Sequence, residues 1–158
     1  MICKSVASIV QYFPVMDHCD IHTTLQDAGL SKTSQRVAVL SALVHAHIPL
    51  CVKDIFEQIG LDCRINKVTI YRILDSFKTA GIIREIPTDH GEKFYEMACR
   101  HNPLHPHFYC RVCRNLSCLP AAGITEEWLK RFRPSRESVE SIVVNLSGVC
   151  TVCQTSKK

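Results

Sequence analysis

The sequence has no run of roughly eighteen apolar residues, which excludes a membrane-spanning helix. Its first residues offer only Lys4 and then a weak apolar stretch broken by Gln11 and Pro14. Lacking a strong apolar segment and a small-residue cleavage site, they do not read as a secretion signal, and a cytoplasmic protein is expected. There is no phosphate loop, no dinucleotide fingerprint and no convincing nucleophile–base pair. Neither an enzyme nor a small organic substrate is therefore expected. At 46% apolar and 22% charged over 158 residues, the composition also excludes disordered, collagen-like and low-complexity classes. The formal charge excess is only +4, a weak sign of nucleic-acid binding. It is concentrated after residue 98, since residues 22–97 carry nine bases and nine acids.

Cysteine, by contrast, is abundant: ten residues, accompanied by eight histidines. In a reducing compartment such thiols read as metal ligands or reactive groups rather than disulfides. They are clustered, with four cysteines and three histidines between Cys99 and Cys118.

The apolar pattern predicts an N-terminal arm at 1–21, a first domain at 22–97 and a second at 98–158. Leu25, Ala28 and Leu30 suggest a short helix stopped near Gly29. Thr33 starts a helix carrying Val37, Leu40, Leu43 and Val44, ended by Pro49. Val52, Ile55, Phe56 and Ile59 mark the next, stopped by Gly60. Asn66 caps a stronger one whose buried face is Ile70, Ile73, Leu74 and Phe77, closed by Gly81. The period then changes. Ile82–Ile86 and Lys93–Met97 read as strands around a turn at Pro87–Gly91. Helices followed by a hairpin are the order of a winged helix-turn-helix, with the Asn66-capped helix as recognition helix. Its outer side then carries Thr69, Arg72 and Ser76.

The second domain predicts strands at His107–Tyr109, Leu116–Leu119 and Glu140–Leu146, with a helix at Thr125–Phe132. Together the two domains make an α+β chain, the second a small α/β unit. A core this thin calls for a staple. Cys110-Arg111-Val112-Cys113 and Cys150-Thr151-Val152-Cys153 supply one, because two CxxC loops complete a tetrahedron of thiolates, which zinc ordinarily fills. His105 and His107, two residues apart, can present both imidazoles to one ion. With Cys99 or Cys118 nearby, they predict a second site, for which zinc is favoured over hard cations. His101 is a substitute ligand. Cys3, Cys19, Cys51 and Cys63, and the remaining histidines, read as ordinary core or surface residues.

Leu30–Leu40 (LSKTSQRVAVL), Val68–Gly81 (VTIYRILDSFKTAG), His105–Cys113 (HPHFYCRVC) and Cys150–Cys153 together resemble the ferric uptake regulator (Fur) superfamily over roughly residues 23–154. The resemblance implies a winged helix followed by a dimerisation domain, and a homodimer that binds palindromic double-stranded operator DNA and represses when metal-loaded. It implies DNA contacts from Tyr71 and Arg72, and from Lys32 and Arg36. It matches Cys110, Cys113, Cys150 and Cys153 to the family's structural zinc site. For the sensing site it matches His105 and His107 to the paired histidines, Glu96 to an acidic ligand of iron-type members, and Cys118 to a position commonly Asp or Glu. Cys99 and Glu85 lie close to ligands of the zinc uptake regulator (Zur) branch. The histidine that iron and peroxide members place before the recognition helix aligns near Pro49. A set of Cys99, His105, His107 and Glu85 or Cys118 implies a regulatory zinc and a zinc-sensing repressor of metal-uptake genes. An iron, manganese or peroxide sensor of the same superfamily is the near alternative. A thiol redox sensor using the CxxC pairs is the alternative of another class.

Overall fold

The computed structural model describes residues 19–121, 127, 131 and 142–155. The chain forms two compact units, one through Asn102 and one from Pro103.

In the first unit, α1 (Ile21–Asp27) is capped by Asp20, whose carboxylate accepts the Thr23 amide at 2.7 Å. Helix α2 (Ser34–Val44) is capped by the Thr33 hydroxyl. It ends at His45, before the expected stop at Pro49. Helix α3 (Val52–Cys63) runs through Gly60 instead of stopping there. An interior glycine costs a helix only about 1 kcal/mol. The chain turns at Arg64, which takes the left-handed conformation (φ 46°), and Ile65 is then buried. Helix α4 (Lys67–Thr79) begins where the Asn66 carboxamide accepts the Thr69 amide at 2.8 Å. All four predicted inward residues, Ile70, Ile73, Leu74 and Phe77, are buried. Each contributes roughly 1.5–3 kcal/mol of apolar burial. They pack with Leu25, Val39, Leu40, Leu43 and Ile55 in one core.

Strands β2 (Ile83–Pro87) and β3 (Lys93–Met97) form the expected antiparallel hairpin, with Glu85 opposite Tyr95. A two-residue strand, β1 (Leu50–Cys51), adds to the far edge of β3 and gives the order β1-β3-β2. Residues 98–102, which the sequence assigns to the second domain, are fastened to this hairpin. The Ala98 amide donates to the Ile82 carbonyl at 2.8 Å, and the Arg84 guanidinium donates to the Asn102 carbonyl at 2.7 Å.

In the second unit, β4 (His107–Cys110) is the middle strand, antiparallel to β5 (Leu116–Cys118) and parallel to β6 (Asn145–Gly148). Strand β6 lies further along than the predicted Glu140–Leu146, because its register is set by pairing His107 with Asn145 and Cys110 with Gly148. Ile142–Val144 precede it outside any strand, with Val143 exposed rather than buried. A Cβ at Gly148 would come within 3.1 Å of the Phe108 ring, so this close approach favours glycine. A short helix, α5 (Thr151–Thr155), follows. The predicted helix at 125–132 falls outside the described residues. Among the described residues no helix is long and apolar enough to cross a membrane.

Candidate metal centres and nucleic-acid interface

The first CxxC sits on a tight turn at the end of β4. The Arg114 amide donates to the Cys110 carbonyl at 2.7 Å, Cys110 donates to Asn115, and Arg114 adopts φ 61°. The second CxxC straddles the start of α5, with Cys153 buried inside it. Parallel pairing of β4 with β6 carries one to the other. The Cys150 amide donates to Cys110 Sγ at 3.3 Å, Cys113 Sγ and Cys150 Sγ are 3.9 Å apart, and all four sulfurs lie within 4.8 Å of one another. That arrangement suits a four-thiolate metal site. Burial pushes the Cys110 thiol up, but amides of Cys113, Cys150 and Val112 aimed at its sulfur outweigh this and bring it down to about 6. Hydrogen bonding by Cys150 and burial push Cys153 up to about 12.

A second donor group lies at the other end of β4. His107 pairs directly with Cys118 across the antiparallel ladder, and His105 lies two residues earlier. The imidazole centroids are 4.6 Å apart, and the donor atoms of His105, His107 and Cys118 lie within 4.8 Å of one another. Both imidazoles are 2% exposed, which removes water as a competing partner. The His105 Nδ1 is 2.9 Å from the Pro103 carbonyl. A carbonyl only accepts, so the proton is on Nδ1, which leaves the buried Nε2 with the lone pair that can donate to metal.

The remaining expected ligands belong to the first unit. Glu96, buried on β3, is cross-strand partner of Arg84, whose Nη2 lies 2.9 Å from its Oε1. Glu85 is held by Lys78 at 3.1 Å and Lys93 at 3.0 Å. Burial raises the Glu85 carboxyl, yet the two ammonium groups hold it below the usual carboxylate range. Cys99 lies beside Cys19, with their sulfurs 3.4 Å apart, and beside His101. Sequence reasoning treated Cys19 as an ordinary residue because its partners are about eighty positions away.

The outer face of α4 carries Val68, Tyr71, Arg72 and Asp75, all exposed, at positions i, i+3, i+4 and i+7. Tyr71 is 53% exposed and Val68 60%. A tyrosine and a valine so placed can meet thymine methyls, and an arginine a guanine edge or phosphate. Thr69 is half-buried, its hydroxyl donating to Asn66 at 3.0 Å. A hollow of about 250 Å³ lies between the start of α2 and α4, its polar side chains coming from Ser31, Thr33, Gln35, Arg36, Thr69, Arg72 and Ser76 and its apolar wall from Ile73. Arg36 is aimed there by hydrogen bonds to the carbonyl and hydroxyl of Ser31. Hydroxyls and guanidinium groups at a helix start suit a phosphate. Lys32 lies on the same segment, exposed, 3.0 Å from the Gln26 carboxamide. Val68, Ser31 and Gln35 are additions to the sequence reading.

The Ferric uptake regulator family profile matches residues 27–145. The chain belongs to the ferric uptake regulator family. Members are metal-responsive transcription regulators that bind DNA as dimers, and they are not enzymes. The peroxide-responsive repressor PerR of Staphylococcus saprophyticus is 32% identical over 136 residues, covering 85% of this chain and 90% of that protein. The ferric uptake regulation protein of Campylobacter upsaliensis is 23% identical over 137 residues, covering 85% and 86%. The fold is similar to the crystal structure of the Vibrio cholerae ferric uptake regulator, with a TM-score of 0.67 at 23% identity, covering 83% of this chain and all of that one.

Proposed function

We propose that this family member is a cytoplasmic, zinc-sensing homodimeric repressor of metal-uptake genes. The observation that carries this reading is the donor set of two buried imidazoles and one thiol at His105, His107 and Cys118. Nitrogen and sulfur donors select zinc over magnesium, calcium or manganese. Glu96, Cys99 and Glu85, the further ligands that the family resemblance implies, each have close partners in their own unit. Cys110, Cys113, Cys150 and Cys153 hold a structural zinc that supports the fold of the second unit. The exposed apolar side chains Val143 and Leu146, around β6, suit a dimer contact.

The regulatory zinc stabilises the conformer of the dimer whose two recognition helices match two operator half-sites. Tyr71 and Arg72 read base edges, with Thr69 close by. Arg36 and Lys32 hold phosphates. Differential affinity of metal for that conformer is what couples metal to DNA.

The decisive experiment is metal-dependent DNA binding by protein that retains only its tightest zinc. Restoration by zinc, and by neither iron nor manganese, supports the reading. Identity to a peroxide-responsive repressor favours one alternative, a peroxide-sensing member using iron at His105 and His107. Oxidation of either imidazole by peroxide in the iron-loaded protein would support it. Reversible dithiol titration without bound zinc would support the thiol redox alternative.

A further inference from the structure

Cys19, Cys99 and His101 form a third donor cluster, wholly inside the first unit and apart from both groups described above. Cys19 immediately precedes Asp20, the cap of α1. Cys99 and His101 lie in the turn after β3, closed by the Asn102 amide donating to the Cys99 carbonyl at 2.9 Å. The two sulfurs are 3.4 Å apart, and Cys19 Sγ is 3.9 Å from His101 Nδ1. All three donor atoms lie within 4.8 Å of one another. With Zn–S and Zn–N bonds of about 2.3 and 2.0–2.1 Å, a tetrahedral ion has S–S and S–N edges of about 3.8 and 3.6 Å. The Cys19–Cys99 and Cys19–His101 edges differ from these by about 0.4 Å or less. All three residues are half-buried, and both cysteines rest against the apolar core, which limits their freedom to separate.

We propose that Cys19, Cys99 and His101 bind a zinc ion as a two-thiolate, one-imidazole site that fastens the start of α1 to the end of the wing hairpin. Three protein donors leave a fourth position open, so the ion is exchangeable. Ligation through His101 Nδ1 puts the remaining proton on Nε2, which requires the Arg100 side chain, now 3.2 Å from that nitrogen, to swing aside. Arg100 is exposed, so the movement meets no packing. The site closes a loop of about eighty residues, and metal bound only by the folded chain stabilises it.

The test uses the reduced full chain that keeps its four-cysteine zinc, with more weakly held metal removed by mild chelation, titrated anaerobically with Co²⁺ alone and followed by sulfur-to-metal charge-transfer absorption. Wild type, C19S, H101A and H107A are compared, with circular dichroism as a check on folding. Cys99 is left intact because the family resemblance also places it near the sensing site. C19S is expected to bind one fewer ion per chain, and H101A to weaken that one event at least tenfold. H107A should keep it. C19S and H101A both retaining the wild-type count and affinities would overturn the proposal. So would a Cys19–Cys99 disulfide that persists under reductant, with no metal lost on substitution. Either failure leaves the His105–His107–Cys118 reading standing, since neither Cys19 nor His101 takes part in it.

Discussion

His107 and Cys118 face each other across the antiparallel β4–β5 pair, so one strand register places an imidazole and a thiol on the same patch. The opposite end of β4 carries Cys110, which pairs with Gly148 of β6, two residues before the second CxxC begins. One four-residue strand thus positions ligands of both groups in the second unit, and substitutions at its two ends should separate the two roles.

Replacing His107 with Ala should remove one metal-binding event and abolish metal-dependent DNA binding, leaving a folded dimer. Loss of a direct ligand should exceed the roughly 10–100-fold affinity cost of losing an outer-shell partner. Calorimetric metal titration and gel filtration check this. Unchanged metal affinity would remove His107 from the site.

Replacing Cys110 with Ala should damage the fold of the second unit, because binding at a structural zinc is folding energy, about 10–16 kcal/mol in zinc-finger peptides. Zinc content should fall by one per chain, and thermal unfolding should lose its cooperative second-unit transition. Thiolates must be deprotonated to bind, so zinc should also be released on acidification. An unchanged melting profile would mean the four sulfurs are not a structural site.

On the DNA face, Arg72→Ala should weaken specific binding by about 1–3 kcal/mol if it reads a base edge. Arg36→Ala should instead weaken binding to all sequences similarly and lower the salt slope by about one. Salt-dependent fluorescence anisotropy on selected and scrambled duplexes separates the two. Equal behaviour of the two variants would contradict the division of roles.

The Lys78–Glu85–Lys93 cluster predicts an acid-sensitive wing. The Glu85 carboxyl is held below its ordinary value of 4.5 in the folded protein, so the folded state favours its ionised form. That contribution is fully present above 4.5 and is lost as pH falls through the depressed folded value. Glu85→Gln should therefore lower stability at pH 7 by up to about 1 kcal/mol, with the difference from wild type vanishing under more acid conditions. Denaturant unfolding across that pH range measures it.

Helix α4 was legible in the sequence because its signals agree: Asn66 caps it, Ile70, Ile73, Leu74 and Phe77 repeat at helical spacing, and Gly81 follows its end with φ 71°. The CxxC pairs were legible because their sulfurs are local in sequence. Strand β1 escaped because two residues, Leu50 and Cys51, are too short to show a period, and only pairing with Phe94 and Tyr95 makes them a strand. Gly60 misled because a glycine weakens a helix without ending it. Ile142–Val144 misled because β-branched residues signal strand propensity, whereas β6's register is set by its pairing with β4. The Cys19 neighbourhood was invisible, since no local pattern announces a contact with Cys99 eighty residues away.

In the proposed function, zinc at His105, His107 and Cys118 controls DNA binding separately from the four-cysteine zinc. The direct measurement is anisotropy of duplexes selected from a random pool by zinc-loaded protein, titrated with protein stripped to one zinc per chain and then reloaded. Restored zinc should tighten binding about 100-fold, within the usual range of allosteric coupling, with no recovery in H107A or C118S. Equal binding by stripped and reloaded protein, or recovery with iron or manganese alone, would contradict it.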